Sequence, residues 1–212
     1  MLSMRNLRFG YADKPVLNIE KLTVKDGEHL LVRGASGTGK TSLLFLLAGL
    51  LAPQGGSIVV EDTDLAKLDR KQRDVFRGQN IGFVFQQPNL MPALTVLQNV
   101  LVAPFMAGKK PEREYAVSLL QKLGLGDMLH RYPWQLSQGQ MQRVGLARAL
   151  VHKPKLVLAD EPTSALDDEA AQAAIDLLLA SARSVGAQVV VTSHDSRISK
   201  HFGQTLLLEA QA

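Results

Sequence analysis

Residues 34–41 read Gly34-Ala35-Ser36-Gly37-Thr38-Gly39-Lys40-Thr41. They fit the template G-x-x-x-x-G-K-[ST], whose chemistry is the capture of nucleotide phosphates. Glycine lets the backbone turn tightly, so successive N–H groups converge on one cluster of phosphate oxygens. A helix beginning directly behind the loop adds the partial positive charge of its N-terminus. In that arrangement Lys40 reaches the β- and γ-phosphates and the Thr41 hydroxyl holds Mg²⁺. Ser42 is counted with the loop as a nucleotide contact. A plain turn between strand and helix has no use for Lys-Thr at its end.

A second stretch has complementary chemistry. Leu156-Val157-Leu158-Ala159-Asp160-Glu161 is an apolar strand ending in two carboxylates. Phosphoryl transfer needs one carboxylate in the metal shell and one group to position the attacking water. Asp160 fits the first role and Glu161 the second, as general base or water-orienting group. A strand so apolar belongs inside a sheet, with its tip at the edge where the phosphate loop also ends. Leu136-Ser137-Gln138-Gly139-Gln140 opens a helix, and Ser137 with Gln140 has the S-x-x-Q spacing of a capping box. Two readings stay open there: a well-made helix start, or a second helix N-terminus offered to a phosphate.

The surrounding elements must position these groups. The apolar run His29–Val32 precedes the loop as a buried strand, and Ser42–Leu51 follows it as a helix. Leu2–Phe9 and Val16–Val24 show partial alternation, while Ser57–Val60 and Ile81–Phe85 are β-rich. Thr95–His152 reads as helices, broken at 109–111 and 124–126. Strands are expected at Leu156–Ala159, Gln188–Thr192 and Thr205–Glu209. Between the first two, a helix over Asp168–Arg183 puts Ala171, Ala174, Ile175, Leu178, Leu179 and Ala182 on one face. Strands alternating with helices around a phosphate loop imply an α/β fold with a mostly parallel sheet, interrupted by an inserted helical subdomain.

Composition narrows the classes. The chain has 212 residues, 46% hydrophobic and 21% charged, as in an ordinary soluble domain. It has no cysteine, which excludes disulfides, thiol chemistry and cysteine metal sites. MLSMRNLRFG lacks a secretory core, and the apolar run Leu43–Ala52 falls short of the about 20 residues that span a bilayer. A net charge of +4 suits anionic partners. The basic residues are scattered, however, and the denser stretch Lys67–Arg73 carries interleaved acids, as a solvated helix face does. Aromatics are not interleaved with them as in single-strand binders, and no nucleic-acid partner is expected. No repeat is visible, and no appended regulatory domain is expected after the last strand.

With Gln86 of Gly82-Phe-Val-Phe-Gln86, Ser164-Ala-Leu-Asp167 and Thr192-Ser-His194, these motifs resemble the ATP-binding-cassette ATPases, in order and from about Leu2 to Leu208. The resemblance implies a P-loop NTPase core with a mostly parallel sheet, an N-terminal antiparallel β-subdomain and an inserted α-helical subdomain at about 95–152. All of it forms one nucleotide-binding domain over 1–212. ATP and Mg²⁺ are the implied cofactors. Tyr11 would stack on adenine, and Gln86 would touch Mg²⁺ and the attacking water. Ser137, Gly139 and Gln140 would close on the nucleotide held by another copy. Asp167 would couple the two sites, and His194 would contact the γ-phosphate and the catalytic Glu161. The family's signature is usually LSGGQ, and here Gln138 replaces its first glycine. If that position supplies an N–H, Gln supplies the same group. If it needs φ > 0, Gln strains it.

One loop and one signature per chain call for a second copy, and the expectation is a homodimer sandwiching two ATP molecules. Binding would close it and hydrolysis release it. The apolar stretch from Gln87 to Leu94, just after Gln86, is expected to be exposed and to dock a separate polytopic membrane subunit. IGFVFQQPNLMPALTVLQNV and LADEPTSALD look most like the group of lipoprotein-releasing, macrolide-exporting and cell-division ATPases. That places the chain peripherally on the cytoplasmic face of the inner membrane, powering export, lipoprotein or lipid handling, or mechanical transmission. The alternative is a soluble ATPase of this type acting on DNA or ribosomes. Against it, about 120 residues without sustained heptads separate loop and acidic strand, and the chain has a single cassette.

Overall fold

The structure is a computed structural model that describes residues 1–12, 14–164, 168–195 and 197–210. In chain order its elements are β1 (Leu2–Tyr11), β2 (Lys14–Val24), β3 (Leu30–Arg33), α1 (Lys40–Leu47), β4 (Gly55–Val60), β5 (Thr63–Asp64), α2 (Arg70–Asn80) and β6 (Ile81–Val84). Then follow α3 (Val96–Met106), α4 (Arg113–Lys122), α5 (Gln138–Leu150), β7 (Leu156–Asp160), α6 (Asp168–Ser184), β8 (Gln188–Ser193) and β9 (Gln204–Leu207).

Two sheets result. One is antiparallel, in the order β2-β1-β4-β5, and the other parallel, in the order β6-β7-β8-β3-β9. The parallel strands are apolar on both faces because both faces are covered. Leu30, Val32, Leu156, Leu158 and Val190 point into a core shared with α1 and the antiparallel sheet. Their neighbours Leu31, Val157, Ala159, Val189 and Val191 point into a second core, shared with α3, α4, α5 and α6. The side-chain period of two therefore sorts each strand between two cores. Helix α1 is sandwiched between the sheets, and Leu43, Leu44, Leu46 and Leu47 are fully buried.

The expected elements are present, with shifts that have physical causes. Helix α1 begins at Lys40 and stops at Leu47, not Leu51. Gly49 adopts φ +66, Leu50 N donates to Phe45 O at 2.8 Å, and Gly49 N to Leu46 O at 3.0 Å. These paired bonds form a Schellman ending, which glycine permits. The basic stretch runs from a short 3-10 turn ending at Lys67 into the first turn of α2, Arg70–Arg73, a helix with none of its residues buried. On α6 the predicted face is inward, with Ala171, Ile175, Leu178, Leu179 and Ala182 buried and Ala174 half-buried. Capping boxes start α3, through Thr95 and Gln98, and α5, through Ser137 and Gln140.

Candidate nucleotide site

Four adjacent parallel strands, β6, β7, β8 and β3, end at one edge of the sheet. Gln86, Asp160 with Glu161, His194 and Gly34 lie at or just beyond those ends. That edge is where open α/β sheets bind ligands.

The loop is shaped by glycine where geometry requires it. Gly37 and Gly39 have φ of +82 and +92. A Cβ at Gly39 would also lie 2.7 Å from Val16 Cγ1, and one at Gly34 would lie 2.4 Å from Thr38 Oγ1. The Lys40 side chain is only 6% exposed. Its Nζ donates to the carbonyls of Gly34 and Ala35, both at 2.9 Å, and lies 3.4 Å from Glu161 Oε1. The ammonium is thereby tethered inside the loop, beside the carboxylate expected to position water.

Thr41 Oγ1 donates to Asp160 Oδ2 at 3.1 Å, joining residues that lie 119 positions apart. The other Asp160 oxygen accepts from Thr192 Oγ1 at 2.6 Å. Thr192 is fully buried, and its carbonyl also accepts from Glu161 N at 3.0 Å. Thr192 opens the Thr192-Ser-His194 motif, and nothing in that motif's spacing assigns it a role. The available signal was a hydroxyl in an otherwise apolar buried strand, since a buried polar group requires a partner. Glu161 has φ +43, in the left-handed region that is costly for a residue with a Cβ. Such strain persists where the surroundings over-determine it. Here its side chain turns between Lys40 and His194, whose Nδ1 lies 3.0 Å from Glu161 Oε2.

Other expected residues take distinct positions. The Gln86 amide nitrogen donates to Ser164 Oγ at 2.9 Å, so its side chain faces that hydroxyl, not the Thr41–Asp160 pair. Tyr11 is 53% exposed at the rim, its hydroxyl 3.2 Å from Ser42 Oγ and its ring edge-on to Phe9. Ser42 thus contacts the aromatic rim residue. Ser137 and Gln140 exchange the two bonds of their capping box, and Ser137, Gln138 and Gly139 remain exposed. Gln138 is the first residue of α5 and lies outside the left-handed region, so replacing the glycine brings no backbone strain. Among the described residues no hydrogen bond joins 137–140 to the loop at 34–41. Asp167 lies outside the described residues.

The stretch after Gln86 is exposed only in part. Met91, Pro92 and Ala93 face solvent, whereas Pro88, Leu90 and Leu94 are half-buried and Leu90 packs on the core. The cause is Asn99, fully buried on α3. It accepts from Met91 N at 2.7 Å and donates to the carbonyls of Met91, Leu94 and Thr95.

Parallel strands that run into a glycine cradle on one side and a carboxylate pair two strands away define a P-loop nucleoside triphosphatase. Residues 17–164 match the ABC transporter family model, and the chain belongs to that family. It is an ATP-hydrolysing transporter subunit of the ABC type. Among its relatives is the lipoprotein-releasing system ATP-binding protein LolD of Legionella pneumophila (strain Paris), 40% identical over 91% of this chain and 86% of that one. The protein of the same name from Anaeromyxobacter dehalogenans (strain 2CP-C) is 45% identical over 87% and 79%. The dimeric post-hydrolysis structure of the ATP-binding cassette MJ0796, bound to ADP and Pi, has a TM-score of 0.85 at 32% identity, covering 99% of this chain and 94% of that one. The cbiO1 protein from Clostridium perfringens, part of the ABC transporter complex cbiONQ, has a TM-score of 0.88 at 28% identity over 98% and 84%. No helix among the described residues is long and apolar enough to cross a membrane.

Proposed function

We propose that two copies of this chain close around two ATP molecules and that hydrolysis drives a separate polytopic membrane protein. The observation that carries this reading is the placement of Glu161. It lies 3.4 Å from Lys40 and 3.0 Å from His194, beside the Thr41–Asp160 pair. Backbone N–H groups of 34–39 and the Lys40 ammonium hold the phosphates. Glu161 takes a proton from the attacking water, and His194 keeps its carboxylate oriented. The Thr41 hydroxyl and Asp160 carboxylate suit Mg²⁺, a hard cation bound by one or two protein oxygens together with phosphates. When bound, it would neutralise charge on the β- and γ-phosphates. Gln86 would join that shell after leaving Ser164.

Among the described residues Ser137, Gly139 and Gln140 make no hydrogen bond to the loop at 34–41, which supports their reading the partner copy's nucleotide. Tyr11 provides the exposed ring for adenine, and Asp167 is assigned to coupling across the dimer. The whole chain serves as one nucleotide-binding domain, on the cytoplasmic face of the inner membrane. The relatives' names favour lipoprotein release as the work performed, and Met91–Ala93 is the docking surface for the membrane subunit.

The test is gel filtration of Glu161→Gln with and without ATP. Dimer is expected with ATP, and it should vanish when Lys40→Ala is added. A Glu161→Gln chain that stays monomeric at saturating ATP would sink the sandwich. Purification of tagged Glu161→Gln from solubilised membranes should bring a polytopic membrane protein in stoichiometric amount. Ribosomes or nucleic acid in its place would overturn the membrane role.

A further inference from the structure

Arg148 stands near the far end of α5, half-buried, eleven residues beyond Ser137. That spacing is about 16 Å along the helix. Its guanidinium donates to Pro88 O at 2.5 Å and to Asn89 O at 2.9 Å. Asn89 has φ +46, a local backbone turn at the second of the two carbonyls that the guanidinium receives. No carboxylate pairs with Arg148 among the described residues, and burial pushes its pKa down. A partly desolvated charge held by hydrogen bonds to two uncharged backbone carbonyls is costly to keep. Two forked N–H groups also hold a backbone segment in one orientation, which a point charge does not.

We propose that Arg148 is a positioning residue, clamping the segment after Gln86 to the helix that presents Ser137, Gly139 and Gln140. The inference rests on the sandwich reading above. Gly145, one turn earlier on α5, faces Pro88, its β-position 3.5 Å from Pro88 Cβ, so segment and helix are in packing contact there. Asn99 pins the other end of the segment to α3, which shares a core with α5. A load on the exposed Met91–Ala93 tip therefore reaches the signature residues through two polar clamps and one rigid helix. Arg148 is the only guanidinium among the described residues that bonds to this segment.

The experiment places Arg148→Met and Arg148→Lys in the Glu161→Gln chain and reads the ATP concentration for half-maximal dimerisation. Arg148→Met should raise it by about two- to thirty-fold, the range for variants along a coupling path. Nucleotide affinity of the dilute monomer should stay unchanged, because the loop at 34–41 is untouched. Arg148→Lys should recover part of the loss. Dimerisation at the parent's ATP concentration would overturn the proposal. If Arg148→Met does not fold, judged by its thermal midpoint, the same comparison is read from Arg148→Lys. If the parent itself stays monomeric, the sandwich fails separately, and the clamp is judged by hydrogen exchange. Faster exchange of the 89–91 amides in Arg148→Met supports it, and unchanged exchange overturns it.

Discussion

Thr192→Val isolates one hydroxyl with little change of shape. Thr192 is fully buried, and its Oγ1 donates to Asp160 Oδ1 at 2.6 Å. Valine replaces the hydroxyl with a methyl and leaves a carboxylate oxygen without that donor. A hydrogen bond to a charged group contributes about 1.5–3 kcal/mol. For a domain of this size each kcal/mol shifts the midpoint by about 2–4 °C, so Tm should fall by about 3–12 °C. Glu161 N loses its longer bond to Thr192 Oγ1, at 3.2 Å, but keeps the one to the Thr192 carbonyl at 3.0 Å, so the backbone turn at Glu161 should survive. The functional loss should instead appear where Asp160 acts. Loss of such a supporting bond typically costs about 10–100-fold in metal affinity or activity. The assay is ATP hydrolysis titrated with Mg²⁺, with thermal unfolding run in parallel. A Thr192→Val chain with wild-type Tm and wild-type Mg²⁺ dependence would refute the reasoning, because Asp160 would then need no help from β8.

Gly39→Ala should weaken ATP binding and lower Tm more than Gly37→Ala. Both have φ near +90, but only at Gly39 does the new Cβ collide with Val16, and fluorescent-nucleotide titration of the two variants checks it. Gln138→Gly should leave the rate of hydrolysis similar or higher, since Gln138 already has helical backbone; a collapse in kcat would reveal a role for its side chain. Stability should fall on acidification. His29 is buried, its Nδ1 accepts from Val189 N, and burial followed by the nearby Arg183 charge holds its pKa below 6.5. The unfolded chain therefore takes up the proton first. The stabilisation is complete above about pH 6.5 and declines as pH falls toward the lower folded value. Unfolding midpoints across that window should drop less steeply in His29→Gln.

Much of the site was legible in the chain because its chemistry is local. A phosphate loop works through consecutive backbone N–H groups, so 34–41 announces itself without any distant partner. The acidic strand end at Asp160 and Glu161 is equally local, and so are the capping box at Ser137 and the alternation that marks the strands. Each depends on residues within one or two turns of each other, where spacing alone sets geometry.

The pairings were settled by packing. Neither the order β6-β7-β8-β3-β9 nor the Thr41–Asp160 contact across 119 residues is written in any local pattern. The same holds for Thr192 beneath Asp160, for Gln86 on Ser164, and for Arg148 on the carbonyls of Pro88 and Asn89. The half-burial of Leu90 and Leu94, expected to be exposed, follows from Asn99 drawing their segment onto α3. A polar side chain carries no mark of its partner in its neighbours. Only when the apolar faces of strands and helices close two cores are the remaining donors and acceptors brought within bonding distance, and burial then obliges them to pair.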